Sequence, residues 1–294
     1  MTTANIDAFI VAGGLSPWLK SYAGTEHRCL APLGDKRLID YIIAALQGSG
    51  RIRRIVVAAR PEALALLEGT LPADVLLCEA AGDLPATAFA ASEALGPDAS
   101  EKLLGVCDDI PLLTSLAVRD FLAACNAFPE GQLYYPIIPK DACLSAYPDA
   151  QRTYGKLRDG VFTGGNMMLM AKDIIPGGQQ KAREIFARRK SPFKLCNWLG
   201  WGFLLKLLCH RLTMADAETR TSALLEMRCK AIITRHACIG MDIDKPSDLE
   251  LARRTLTYGK SQKNACRSRI SCLEENVQMT GKGKGTKVPF LQHN

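Results

Sequence analysis

Two adjacent carboxylates, Asp108 and Asp109, directly follow an apolar run in "LLGVCDDIPLL". Pro111 ends this run, so that the acids lie where a buried strand stops. Carboxylate oxygens are the hard ligands that Mg²⁺ prefers, commonly together with the phosphate oxygens of a substrate. The pair predicts a magnesium site at a strand end, and the structural alternative is that Asp109 only forms a turn or caps a helix.

A second acidic group, Asp242 and Asp244, occurs in "GMDIDKPSDL". Residues two apart on a strand point to the same face, and we expect a strand over "KAIITRHACIGMDID". The two groups are some 130 positions apart in the chain. Carboxylates from distant strands can hold one ion, so we expect Asp109, Asp242 and Asp244 to share a metal.

A glycine pair, Gly13 and Gly14, closes the first apolar run, "DAFIVAGG". Glycine has no Cβ, which allows backbone N–H groups to approach an anion closely. We expect the guest to be a triphosphate, and the alternative is a simple strand-to-loop turn. The dinucleotide fingerprint Gly-x-Gly-x-x-Gly is absent.

The first half of the chain alternates short apolar strands with helical stretches. The segments are "DAFIVAGG", "LIDYIIAAL", "RIVVAAR", "EALALLEGTL", "DVLLCEA", "ATAFAASEAL", "KLLGVCDD" and "SLAVRDFLAAC". This order predicts a parallel sheet with helices on both faces, in which ligands bind beyond the carboxyl ends of the strands. Gly13, Gly14, Gly82, Asp108 and Asp109 all fall at that edge.

The pattern predicts one folded domain over residues 1–256. Within it, residues 132–235 look like an inserted acceptor region that includes an expected strand, "GVFTGGNMMLM". A closing helix is expected to begin at Pro246. Residues 257–294 lack periodicity and are rich in Lys, Gly, Ser, Asn and Gln, so we expect a basic, disordered tail.

Charge and cysteine usage exclude several classes of protein. The tail over 257–294 carries seven Lys or Arg and two Glu, so that only +2 of the net charge of +7 belongs to the rest, and a dedicated nucleic-acid partner is not expected. The 11 cysteines form no Cys-x-x-Cys pair and only 4 histidines accompany them, which predicts reduced thiols without a zinc site. We found no secretory signal or bilayer-length span and expect a cytoplasmic protein that can form homo-oligomers.

Five stretches in chain order carry a family resemblance. They are "FIVAGG", "RCLAPLGDKRLIDYIIAAL", "CDDIPLL", "FTGGNMML" and "MDIDKPSDLELA". Together they span residues 6–256 and resemble the MobA-like NTP transferase type of nucleotidyltransferase, whose relatives include molybdenum-cofactor guanylyltransferase and the sugar-phosphate nucleotidyltransferases.

The resemblance implies an α/β fold, a three-layer α/β/α sandwich with a mostly parallel mixed sheet of the Rossmann-like, glycosyltransferase-A (GT-A) type. It implies transfer of a nucleoside monophosphate from a nucleoside triphosphate to a phosphorylated small-molecule acceptor, with release of pyrophosphate and with Mg²⁺ as cofactor.

Site residues follow from the same resemblance. Ala12, Gly13 and Gly14 would hold the nucleotide, and Gly82 would lie in the loop that contacts the base. Asp109 would bind magnesium together with Asp242 or Asp244. Gly165 and Asn166 match the glycine-rich strand on the acceptor side.

The chain departs from the family pattern at the phosphate-binding loop. Ser16 and Trp18 stand where the family has Gly and Arg, and His27-Arg28 replaces the usual Pro-Lys. We therefore expect Arg28, with Lys20, to meet the phosphate charge, and we take Arg28 and Asp109 as the catalytic pair. Lys156 and Arg152 are candidates for neutralising an anionic acceptor.

Two other functions stay open at this point. The missing loop arginine is compatible with a nucleotide-binding protein of the same fold that does not catalyse transfer. A metal-dependent GT-A glycosyltransferase could use "DID" as its Asp-x-Asp, although that pair normally closes a strand in the middle of the chain.

Overall fold

The computed structural model describes residues 5–188, 201–209 and 211–257. Residues 1–252 form one contact unit, and of the second unit, 253–294, only 253–257 are described. The strands found in the described residues are β1 (Ile6–Ala12), β2 (Pro32–Leu33), β3 (Lys36–Arg37), β4 (Ile52–Ala59), β5 (Val75–Glu79), β6 (Lys102–Cys107), β7 (Leu133–Pro139), β8 (Gly155–Leu157), β9 (Gly160–Gly164), β10 (Met167–Ala171) and β11 (Cys229–Ile233).

One sheet contains all of these strands except the β2–β3 hairpin. Its order is β5-β4-β1-β6-β10-β7-β9-β8, and β11 pairs with β7 outside that path. Strands β5, β4, β1 and β6 are parallel, whereas β10 runs antiparallel to β6 and β7. The sheet is therefore mixed and parallel in the half built from the first 107 residues.

Helices cover this sheet. They are α1 (Trp18–Ala23), α2 (Leu38–Gly48), α3 (Pro61–Leu67), α4 (Leu84–Ala94), α5 (Ser115–Cys125), α6 (Lys140–Ala146), α7 (Ile174–Arg188), α8 (Trp201–Leu208), α9 (Met214–Leu225) and α10 (246–257). The β1-α2-β4 and β5-α4-β6 crossovers run in opposite directions along the sheet, so right-handed connections put α2 and α4 on opposite faces. Contacts agree, because α2 packs with α5 and α4 packs with α7. The predicted three-layer α/β/α sandwich is confirmed.

The parallel strands form because their apolar residues are buried from both sides. Phe9 of β1, Val56 of β4 and Leu103 of β6 pack in one cluster with Ala91 of α4 and Ile175 of α7. Gly105 leaves room for this cluster, since a Cβ there would lie 2.7 Å from the ring of Phe9. Strand β6 therefore places its carboxyl end firmly beside that of β1.

A crevice for ligands follows from this topology. The chain leaves β1 toward β4 on one side and leaves β6 toward β7 on the other, so the connections diverge between β1 and β6. Open α/β sheets bind ligands at such a switch point. Gly13 and Gly14 follow β1 there, and Asp108 and Asp109 follow β6.

Two predicted strands were wrong in extent. "GVFTGGNMMLM" divides into β9 and β10 at Gly165, where the N–H donates to Pro136 at 3.0 Å and a Cβ would lie 2.7 Å from Ile239. The expected strand through "KAIITRHACIGMDID" ends at Ile233. A 3₁₀ turn, Ala237–Gly240, follows, so that Asp242 and Asp244 lie in a segment outside the sheet.

Other expectations concern the rest of the chain. Helix α10 begins at Pro246, as predicted, whereas the proposed tail over 257–294 lies outside the described residues except for its first position. Among the described parts, no helix combines the length and apolar character that a membrane crossing needs. The eight cysteines in those parts are free thiols, as expected.

Candidate active site

The loop after β1 is arranged around the two glycines. The backbone carbonyl of Gly14 accepts a hydrogen bond from the N–H of Arg28 at 3.3 Å, and Arg60 donates through Nε to the carbonyl of Gly13 at 3.0 Å. A Cβ on Gly14 would lie 2.2 Å from the Arg28 guanidinium. Only glycine therefore fits at this position with Arg28 in place.

Arg28 joins this loop to the acids that follow β6. Its Nη2 donates to Asp108 Oδ1 at 2.9 Å, and its Nη1 lies 3.0 Å from Asp109 Oδ2. The Asp108 side chain is fully buried and that of Arg28 is 20% exposed. One guanidinium thus connects both carboxylates at the end of the sheet.

Burial has the largest single effect on the pKa values of the groups in this cluster. Burial raises the pKa of Asp109 to about 7, Arg28 opposes this, and the charges of Asp108, Asp242 and Asp244 add to it. Burial also raises the pKa of Asp108, again against Arg28. Burial lowers the pKa of Arg28, but Asp108 and Asp109 outweigh it and the net shift is upward. The cluster is therefore short of positive charge.

The second acidic segment reaches the same place. The N–H of Ile243 donates to the backbone carbonyl of Asp109 at 2.9 Å, which sets Asp242 and Asp244 beside the end of β6. Asp242 forms an ion pair with Arg152, and Asp244 is exposed. Burial raises the pKa of Asp242, Arg152 lowers it and Asp244 raises it.

Asn166 connects the break between β9 and β10 to the segments that precede both acidic groups. Its carbonyl accepts from the N–H of Cys107 and its N–H donates to the carbonyl of Ile239, both at 2.9 Å. Its side-chain Nδ2 is buried without a hydrogen-bond partner in the described part of the chain. The Gly165–Asn166 break between β9 and β10 is thus part of the site's framework.

A divalent cation, which the family implies, fits part of this cluster. Asp108 Oδ2 and Asp109 Oδ1 are buried without a hydrogen-bond partner in the ranges described. Of the four carboxylates Asp108, Asp109, Asp242 and Asp244, the first two pair with Arg28 and the third pairs with Arg152, while the charge of Asp244 also acts on Asp109. This leaves an excess of negative charge.

The number of protein ligands limits how well this cluster can bind a divalent cation. Within the described residues, no three His, Cys, Asp or Glu side chains are grouped so as to hold a metal ion by themselves. Mg²⁺ commonly takes only one or two carboxylates and completes its shell with substrate phosphates and water. The acids alone therefore supply too few ligands, and oxygens of a substrate and water would have to complete the shell of an ion bound here.

Two cavities of about 330 Å³ each flank the cluster. The first cavity is lined by Gly13, Gly14, Arg28, Arg60 and Gly82, among others. The second cavity is lined by residues that include Arg152, Thr153, Thr163, Asp242, Asp244 and Lys245. Arg28 lines the first cavity and Asp242 lines the second, so that the cluster borders both.

The structure places the remaining sequence-predicted residues less centrally. Lys20, on α1, is exposed and forms an ion pair with Glu26 at 3.1 Å, and it does not line either cavity. Lys156 is exposed on β8, and Ala12 is fully buried at the end of β1 and lines neither cavity.

Sequence reasoning missed Arg60 altogether. It follows the buried end of β4 directly, in "VVAAR", so a basic residue at the carboxyl end of a parallel strand was the available signal. The ion pairs of Arg28 with Asp108 and of Arg152 with Asp242 had no local signal, because each joins residues 80 or more positions apart.

A glycine loop, a basic side chain and a strand-end acid at the switch point of an open α/β sheet define a nucleotide-dependent transferase. The family model of the MobA-like NTP transferase domain matches residues 8–164, and the chain belongs to this family of nucleotidyltransferases. No curated protein matches the sequence.

Solved structures agree with this assignment. A hypothetical transferase from Thermus thermophilus is 32% identical with a TM-score of 0.72, and the match covers 83% of this chain and 99% of that one. The 4-diphosphocytidyl-2C-methyl-D-erythritol synthase of Anaerococcus prevotii is 14% identical with a TM-score of 0.55, over 87% and 99%. A nucleotidyl transferase of Methanothermobacter thermautotrophicus is 15% identical with a TM-score of 0.53, over 86% and 99%. The last two share the fold.

Proposed function

We propose that this nucleotidyltransferase moves a nucleoside monophosphate from a nucleoside triphosphate to a phosphorylated small-molecule acceptor and releases pyrophosphate, with Mg²⁺ as cofactor. The observation that supports this best is the position of Arg28. Its guanidinium lies against Gly14 and contacts both strand-end acids, so a phosphate-binding cation and candidate metal ligands meet at one point.

The triphosphate would occupy the first cavity. The backbone of Gly13 and Gly14 would face the phosphates, with Ala12 supporting them from the buried end of β1, and Arg28 and Arg60 would supply positive charge from the cavity wall. Gly82 lies at the far side of the same cavity, where a Cβ would meet nothing within 4 Å, so a base has room there. Lys20 would contribute only at longer range.

Asp109, with Asp242 or Asp244, would hold the magnesium ion. The ion would neutralise phosphate charge when bound. The chain's own part is positioning: the Ile243 to Asp109 hydrogen bond fixes the two acidic segments to each other, and Arg152 holds the Asp242 carboxylate.

The acceptor would occupy the second cavity. Arg152 and Lys245 line it and would receive an acceptor phosphate. Gly165 and Asn166 would support the acceptor site through their backbone hydrogen bonds to Pro136 and Ile239. Lys156 would contribute from the exposed strand β8. A phosphate oxygen is already ionised at neutral pH, so attack on the α-phosphate in line with the departing pyrophosphate needs no general base.

The test is a pyrophosphate-release assay. ATP, GTP, CTP and UTP are each supplied with MgCl₂ and a panel of sugar phosphates, alcohol phosphates and cofactor precursors. We expect release with a restricted set of triphosphate and acceptor pairs, and no release when EDTA replaces MgCl₂. Absence of release with every pair would contradict the proposal, provided that the protein is folded.

A nucleotide-binding protein without catalysis is the second candidate. The observation in its favour is that Arg28 already engages both Asp108 and Asp109, while Trp18 stands in place of the loop arginine. A thermal-shift panel run beside the assay separates the two, because stabilisation by a triphosphate without turnover favours the binder. Hydrolysis of a sugar nucleotide would instead favour the GT-A glycosyltransferase.

A further inference from the structure

Arg28 divides its guanidinium between two carboxylates that differ in their surroundings. Nη2 is held by Asp108, which is fully buried, and Nη1 is held by Asp109. The charges of Asp242 and Asp244 act on Asp109. For Asp108 the main electrostatic partner is Arg28 itself. Asp108 is therefore the interior anchor, and Asp109 is the acid that faces the rest of the negative charge.

Each of these acids contacts Arg28 through one carboxylate oxygen. The other oxygens, Asp108 Oδ2 and Asp109 Oδ1, are buried without a hydrogen-bond partner within the described ranges. A buried carboxylate oxygen without a partner is costly, so a ligand is expected at one or both. The backbone of Asp109 is hydrogen-bonded to Ile243, so Asp109 is the acid whose main chain joins the second acidic segment.

Gly14 limits where Arg28 can go. The guanidinium packs against the Cα of Gly14, and the backbone N–H of Arg28 is hydrogen-bonded to the Gly14 carbonyl at 3.3 Å. The side chain also lines the first cavity. A small rotation about its anchor on Asp108 would therefore release Asp109 and leave Nη1 facing that cavity.

We propose that Arg28 is a resident counter-cation, which a divalent cation displaces from Asp109, and that Asp108 is the positioning residue that keeps Arg28 beside Gly14 after the exchange. The inference rests on the proposed function in one respect, that Asp109 accepts a metal ion. In this scheme the released Nη1 becomes a donor for a phosphate in the first cavity. The Arg28 guanidinium and the divalent cation would thus occupy the Asp109 carboxylate in turn.

The first experiment measures binding of Mn²⁺ without nucleotide, by electron paramagnetic resonance of the free ion. Arg28→Met removes the competing charge and keeps the apolar stem, so we expect the Mn²⁺ affinity to rise on the order of tenfold. Arg60→Met is the matched control, because it removes a cation from the same cavity without freeing a carboxylate. A rise with Arg60→Met equal to that with Arg28→Met would overturn the inference.

Arg28→Lys covers the case in which Arg28→Met does not fold. A single ammonium cannot bridge two carboxylates as a guanidinium does, so the lysine variant is expected to bind Mn²⁺ more tightly than the wild type but less tightly than the methionine variant. Circular dichroism of each variant establishes that it is folded. Unchanged affinity in a folded lysine variant counts against the proposal.

The role of Asp108 is tested by Asp108→Asn alone and in the Arg28→Met background. In Asp108→Asn, Arg28 loses its anchor and pairs with Asp109 alone, so the affinity for Mn²⁺ should fall about tenfold. In the Arg28→Met background there is no guanidinium to move, so the same change should lower the affinity for Mn²⁺ less than about threefold. An equal loss in both backgrounds would make Asp108 a metal ligand instead of a positioning residue.

These outcomes are separable from those of the transferase assay. A gain of Mn²⁺ affinity in Arg28→Met without turnover by the wild type supports the exchange and contradicts the proposed reaction. Pyrophosphate release by the wild type with no change of Mn²⁺ affinity in the Arg28 variants supports the reaction and contradicts the exchange.

Discussion

The N–H of Ile243 is hydrogen-bonded to the carbonyl oxygen of Asp109 at 2.9 Å. This single contact joins the end of β6 to the segment after the last strand and brings two acidic groups into one cluster. It also provides a hydrogen-bond acceptor for the N–H of the residue between Asp242 and Asp244, although this segment lies outside the sheet. Catalytic proposals for either group therefore concern both.

Replacing Asp109 by Asn should lower the rate of pyrophosphate release by on the order of 100-fold or more. The amide keeps the shape of the side chain but removes the charge that a cation needs. Burial raises the pKa of Asp109 to about 7, which means that the fold disfavours its ionised form, so the melting temperature should not fall. The checks are the assay and a thermal melt.

Asp141→Asn is the control for that change, because Asp141 is an exposed acid that pairs with Arg235 at the surface. It should leave the rate unaltered. Turnover retained by the folded Asp109→Asn variant would remove Asp109 from the metal assignment.

Replacing Gly14 by Ala should weaken triphosphate binding by about tenfold. The new Cβ would lie 2.2 Å from the guanidinium of Arg28, so that the side chain must leave the position in which it contacts Asp108 and Asp109. Isothermal titration with each triphosphate and MgCl₂ measures the effect.

Gly177→Ala provides a comparison on α7, where a Cβ would meet nothing within 4 Å. It should bind triphosphate as the wild type does, with equal or slightly higher stability. If Gly14→Ala bound the triphosphate with wild-type affinity, the position of Arg28 against Gly14 would not be required for triphosphate binding.

Most helices and strands could be predicted because the spacing of apolar residues within each segment follows the period of the element that it forms. The stretch "SLAVRDFLAAC" became α5 at those bounds, and the run "DAFIVAGG" became β1 with its glycines at the carboxyl end. The break between β9 and β10 could not be predicted, because Gly165 is required by contacts with Pro136 and Ile239, which are distant in sequence.

The acids, the glycines and Arg28 could be named from the sequence, whereas their ion pairs could not. Strand-end position follows from the sequence, and it placed Gly13, Gly14 and Asp109 at one edge. The ion pairs cannot be predicted from the sequence, because the tertiary structure determines which residue lies beside each buried charge. Lys20 illustrates this: its charge is used by Glu26 on the surface, whereas Arg60, which was not predicted, lines the first cavity.

At saturating MgCl₂, where freeing Asp242 from its ion pair does not change metal occupancy, replacing Arg152 by Met should raise the KM for the acceptor about tenfold and leave the KM for the triphosphate within about twofold. Arg152 lines the second cavity and holds Asp242, whereas it is absent from the lining of the first. Steady-state kinetics with the acceptor found in the assay measures both constants.

Lys156→Met is the comparison for that variant, because Lys156 is exposed on β8 and outside the lining of the second cavity. A smaller effect is expected. A larger rise in acceptor KM for Lys156→Met than for Arg152→Met would move the acceptor site to β8.

Asp7 is a buried acid at the opposite end of β1 from the glycines. Its Oδ2 accepts from Arg53 at 2.7 Å and from Arg54 at 2.8 Å, and also from the N–H of Ser100 at 2.9 Å. Burial alone would raise the pKa of Asp7, but these hydrogen bonds hold it well below the usual range. The ionised form of Asp7 is therefore a stabilising element of the fold.

Replacing Asp7 by Asn should lower the free energy of unfolding at pH 7 by about 2–3 kcal/mol, without affecting triphosphate binding. The pKa of Asp7 is lower in the folded state than in the unfolded chain, so its stabilisation is present above about pH 4 and is lost as the pH falls. Urea melts from pH 7 to pH 2 should show the two proteins converging in acid, with the exposed Asp149→Asn following the wild type throughout. A stability difference that is independent of pH would contradict the ionic role of Asp7.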